Sequence, residues 1–131
     1  MKKFKGLIIV LSILLSLFGL TACQVDSANS YEQITPQEAK NIMDTENDYI
    51  IIDARTSEEF AEGHIENAIL IPEYEIANRA EKELPDKEAL ILVYCRSGRR
   101  SKIASEELVK LGYTNVKEFG GIIDWPYETV K

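Results

Sequence analysis

Histidine, cysteine and tryptophan are nearly absent: the 131 residues hold one His, two Cys and one Trp. That supply does not make a closed four-ligand zinc site of the usual Cys/His kind, and two Cys do not make a disulfide scaffold. Positive charge is scarce as well. Fifteen Lys and Arg stand against 22 Asp and Glu, a net charge of −7, which excludes binding to nucleic acid through phosphate neutralisation. No apolar run is long enough to cross a bilayer: Gly6 to Leu20 is 15 residues, against the roughly 20 that a transmembrane helix needs. No internal repeat is visible, and with 28% charged and 45% hydrophobic residues the composition is that of a single globular domain.

The apolar run follows Lys2, Lys3 and Lys5 and precedes Thr21, Ala22 and Cys23, which is the layout of a secretory signal. The string LTAC resembles a bacterial lipobox. The resemblance implies a signal peptide over residues 1–22, a lipidated Cys23 as the mature N-terminus, and export to the cell envelope on a membrane anchor. Losing three lysines would take the net charge to −10. The small polar stretch from Gln24 to Ser30 reads as a flexible tether. With Cys23 consumed by lipid, Cys95 has no intramolecular disulfide partner in a compartment where thiols tend to oxidise.

From Tyr31 to Lys131 short apolar runs alternate with helical patterns. Thr35-Pro36-Gln37-Glu38 is a capping box with proline at the first helical position, predicting a helix that ends before Asn47. Tyr49–Ile52, Ala68–Ile71 and Ala89–Tyr94 lack alternation, as strands buried on both faces do, and Val116–Phe119 is a weaker fourth. Helices are predicted over Thr56–Ala61, Glu75–Leu84 and Arg99–Leu111. This order predicts an α/β domain with a mostly parallel central sheet and helices on both faces. Ligand sites in such sheets lie beyond the carboxyl ends of the strands.

Two strand ends are polar. One carries Asp53 and Arg55; the other runs into Cys95-Arg96-Ser97-Gly98-Arg99-Arg100. The chain has five Arg, and three of them fall within this six-residue loop of an acidic protein. A cysteine between a strand and a helix faces the positive end of that helix, which favours the nucleophilic thiolate. Gly98 lets the backbone turn so that successive amides form a nest for an anion. The loop therefore reads as a nucleophile in an anion cradle.

The strings IIDARTSEEFAEGHIENAILIP, VYCRSGRRS and FGGIIDW resemble the rhodanese domain in order and spacing over nearly all of Tyr31–Lys131. The resemblance implies a sulfurtransferase. Cys95 would take a sulfane sulfur from thiosulfate or a similar anionic donor, hold it as a persulfide among Arg96, Ser97, Gly98, Arg99 and Arg100, and pass it to cyanide, a thiol or a protein thiol. No cofactor and no metal are implied, and the chain is expected to act as a monomer. Asp53 and Arg55 match the family's acidic and basic pair, with the carboxylate expected to orient the loop. His64 is expected to be structural, Gly120 and Gly121 to form a turn, and Trp125 to pack behind the site. Some thiosulfate-using relatives have a cation where this chain has Ser97. Cell-cycle phosphatases of the same fold place Arg six residues after the Cys, where this chain has Ser101, and the loop suits a single sulfur better than a phosphate. The competing class is a membrane-tethered, non-enzymatic binding or redox-sensing module.

Overall fold

The computed structural model describes residues 30–131. The expected signal peptide (residues 1–22), the expected lipidated Cys23 and the expected tether as far as residue 29 lie outside the described residues. Local sequence signals set the helix starts. Thr35 and Glu38 close a reciprocal capping box, with Glu38 N–H donating to Thr35 Oγ1 at 3.1 Å, and Pro36 opens α1 (Pro36–Thr45). Thr56 and Glu59 repeat the device at α2 (Ser57–Glu62). Helices α3 (Ile76–Glu83) and α4 (Arg99–Lys110) complete the set; after α4, Gly112 turns through φ +98° and Tyr113 N–H returns to Leu108 O at 3.1 Å.

Five strands, β1 (Glu32–Gln33), β2 (Ile50–Asp53), β3 (Ile69–Leu70), β4 (Ile91–Cys95) and β5 (Val116–Gly121), form one sheet in the order β1-β5-β4-β2-β3. Every pairing is parallel. The centre is β4, whose five residues are all buried, which explains its unbroken apolar pattern. Alternation splits its side chains between two cores. Ile91, Val93 and Cys95 pack with Ile52, Ile76, Ala80, Ala104 and Leu108 on the α3/α4 face. Leu92 and Tyr94 pack with Ala39, Ile51, Phe119 and Trp125 on the α1 face. Helices thus cover both faces, as the sequence predicts.

Three strands depart from the sequence reading. β3, read over Ala68–Ile71 as buried on both faces, is a two-residue strand at the sheet edge with Ile69 exposed. β1 carries no apolar signal because both of its side chains are exposed; it joins the sheet through its backbone, beside β5. β5 extends beyond Phe119 to Gly121 and lies inside the sheet, between β1 and β4. Its pattern looks weak because Lys117 reaches across to Glu32 and Glu118 is turned into the site.

Candidate active site at the end of strand β4

Cys95 is the last residue of β4, opposite Gly121 in β5, with an irregularity in the pairing between Val93 and Cys95. The chain then turns back through Arg96 and Ser97 to Gly98, which adopts φ +104°, a conformation open to glycine and strained for other residues. This turn aims the Gly98 N–H at Cys95 Sγ, 3.0 Å away. Helix α4 begins one residue later, and no side chain caps its first turn. Its leading N–H groups and the positive end of its dipole are therefore free to act on an anion. The turn packs tightly against β5. A Cβ on Gly121 would lie 1.9 Å from Arg96 O and 2.6 Å from Ser97 Cα, so only glycine allows this approach.

Beneath the turn, Ser101 Oγ lies 3.3 Å from Cys95 Sγ and donates to Glu118 Oε1 at 2.6 Å. Gly120 N–H donates to the same carboxylate oxygen at 2.8 Å. Cys95 and Ser101 are 0% exposed and Glu118 is 3% exposed. The arginines divide. Arg96 and Arg99 are exposed, with Ser97 between them. Arg100 instead forms a two-pronged ion pair with Glu59 of α2, at 2.7 and 2.8 Å. The guanidinium holds the Glu59 carboxyl at about 2, and the carboxylate raises Arg100 in turn.

Residues 35–126 match the rhodanese-like domain family. The chain belongs to that family. Over 80 residues it is 40% identical to the thiosulfate sulfurtransferase PspE of Escherichia coli, covering 61% of this chain and 77% of the relative. Over 88 residues it is 40% identical to a sulfurtransferase of Allochromatium vinosum, covering 66% and 79% of the two chains. A solved rhodanese with anions from E. coli superposes with a TM-score of 0.60 at 38% identity, over 63% of this chain and 98% of that one. Other relatives are longer, the match covering 23% of one and 33% of another.

In this rhodanese-like domain the acidic and basic pair at the carboxyl end of β2 lies on the other face of the sheet from the thiol. Asp53 and Arg55 are joined at 2.7 Å, and the Tyr94 hydroxyl donates to Asp53 Oδ2 at 2.7 Å while accepting from Ile65 N–H at 3.0 Å. Arg55 also holds Gly63 O at 2.6 Å. Burial, and then the adjacent Asp53 charge, push the Tyr94 phenol well up, keeping it a donor. The expectation that Asp53 orients the loop is thus redirected. Tyr94 and Cys95 are consecutive in a strand and point to opposite faces, so Asp53 fastens Tyr94 and the carboxylate on the loop is Glu118. His64 stacks on Phe60 with ring centroids 3.7 Å apart, its Nδ1 is 2.9 Å from Phe60 O, and its backbone bridges to Val130. Trp125 packs on Phe119 in the α1-face core.

The sequence reading missed Glu118, Glu59 and the part played by Ser101. A signal for Glu118 was available: an acidic residue inside VKEFGG, in a run otherwise read as a strand, needs a buried partner. Among the described residues, no group of three or more His, Cys, Asp or Glu is placed to hold a metal ion.

Proposed function

We propose that this chain is a sulfurtransferase in which Cys95 carries the transferred sulfur as a persulfide. The observation that supports it best is the Sγ of Cys95, held 3.0 Å from the Gly98 N–H at the uncapped start of α4. The Cys95 thiolate attacks the outer sulfur of thiosulfate, the donor's S–S bond breaks, and sulfite leaves with the bonding pair. The terminal persulfide sulfur, which is anionic, takes the loop amides as partners. An acceptor thiolate or cyanide then attacks that sulfur and Cys95 leaves as a thiolate, closing a two-step cycle without a cofactor. Exposed Arg96 and Arg99 draw the anionic donor towards an otherwise acidic protein.

Intact mass tests the cycle. Thiosulfate should add the mass of one sulfur atom and cyanide should remove it; equal loading of Cys95→Ser would sink the proposal. We also propose that Cys23 is lipidated after export and holds the domain at the cell envelope. Seven residues, Gln24 to Ser30, separate Cys23 from the domain. The parent should enter the detergent phase and Cys23→Ser should not; identical partitioning would remove the anchor.

A further inference from the structure

We propose that Glu118 stores the proton that Cys95 gives up to become a thiolate, with Ser101 carrying it between them. This deepens the reading of Cys95 as the sulfur acceptor and rests on it. The Ser101 hydroxyl has one proton and three acceptors in reach: Glu118 Oε1 at 2.6 Å, Gly98 O at 3.0 Å and Gly120 O at 3.4 Å. The carboxylate is the nearest and the only charged one, so it takes the proton. Ser101 Oγ then turns a lone pair towards Cys95, 3.3 Å away, and accepts its S–H. The three groups form a continuous path inside the protein.

Transfer along the path balances. The S–H bond of Cys95 breaks as a new O–H bond forms on Ser101. The O–H bond that Ser101 held breaks as one forms on Glu118 Oε1. No proton leaves the site and no group is oxidised or reduced; one negative charge moves from Glu118 to Cys95. At one end Gly98 N–H donates to Sγ at 3.0 Å and favours the thiolate; at the other, Gly120 N–H donates to Oε1 at 2.8 Å and holds that oxygen in place beside Ser101. Two adjacent buried negative charges would repel, and the path lets the site hold one.

The charged groups around the path leave this sharing intact. On α4, Arg100 acts on Cys95 through space but is bound to Glu59, and Lys102 lines a groove of about 330 Å³ beside Glu118. Asp124, after β5, lines the same groove. Tyr31, beside β1, is raised by burial and by the charges of Glu106 and Glu118, so it stays neutral. Asp53 is balanced by Arg55 on the opposite face.

The pH profile of Cys95 alkylation by iodoacetamide, read as modification of the Cys95 peptide in the full chain, tests the path. With the proton stored internally, the parent's rate should be flat between about pH 6 and about pH 8, because the thiolate fraction does not depend on bulk protons there. Glu118→Gln keeps a carbonyl to accept from Ser101 and Gly120 but cannot take the proton. Its rate should climb about tenfold per pH unit over the range in which its thiol is still protonated. Ser101→Ala cuts the path in the middle and should show the same climb, so the test survives if one variant fails to fold. A flat profile in both variants, or a climbing one in the parent, would overturn the proposal. Alkylation does not require sulfur transfer, so failure of the sulfurtransferase reading would appear separately, as a parent chain that alkylates but does not load sulfur.

Discussion

Tyr94 and Cys95 are adjacent in one strand, yet their side chains enter two polar clusters of different character. On the α1 face, the Asp53 carboxylate meets a guanidinium and a phenol, and its charge is cancelled. On the α4 face, the Glu118 carboxylate meets a hydroxyl and an amide and has no directly bonded cation. A buried carboxylate bound to a cation resists protonation and serves as a brace. The Glu118 carboxylate, held by neutral donors, is the one proposed to exchange a proton through Ser101. The same residue chemistry is thus structural on one side of the sheet and available for reaction on the other.

The comparison breaks most completely where the loop meets β5. Gly121→Ala would set a Cβ 1.9 Å from Arg96 O. It should cost about 4 kcal/mol or more in unfolding free energy and remove sulfur loading, measured by denaturant titration and intact mass. Next comes the brace. Asp53→Asn leaves Arg55 charged and nearly enclosed, and should cost about 3–5 kcal/mol. The sulfur-loading rate of the protein that stays folded should be close to the parent's; a large loss of rate at full stability would move Asp53 into the reacting site.

The Glu59–Arg100 pair gives a smaller, pH-dependent effect. Glu59 is held at about 2 in the folded chain, below the ordinary 4.5, so its contribution is fully present above about pH 4.5 and is lost as pH falls towards 2. Thermal unfolding should show about 2 kcal/mol of stability vanishing over that window, and less in Glu59→Gln. The smallest effect separates the arginines. Arg99→Gln should slow thiosulfate loading about threefold at low salt and scarcely at all at high salt. Arg100→Gln should mainly lower stability, because its charge already serves Glu59.

Much of the fold was legible because its signals are local. Two capping boxes, the unbroken apolar run of β4 and the glycine after α4 each lie within a few residues of the feature they set. Cys95 and its loop were legible for the same reason, since strand, nucleophile, glycine and helix start follow one another in the chain. Glu118 was not, because it lies 17 residues from Ser101 and meets it only through the packing of α4 on β5. The division of the arginines was hidden in the same way: Glu59 and Arg100 are 41 residues apart. β1 was hidden because two exposed polar residues carry no periodic signal.

The position of β5 between β1 and β4 makes it the strand that completes the surroundings of the Cys95 turn. It is the last of the described strands in chain order, and it supplies both Glu118, bonded to Ser101, and Gly121, against which the Cys95 turn packs. Without β5, β4 presents a bare edge and the Cys95 turn lacks the packing against Gly121. Contacts that bridge many residues form slowly, and the pairing of Glu32 with Lys117 closes a loop of most of the domain. In a chain whose β5 has not docked, Cys95 would therefore lie open to oxidants and to other chains, and its cover is complete only with that strand in place.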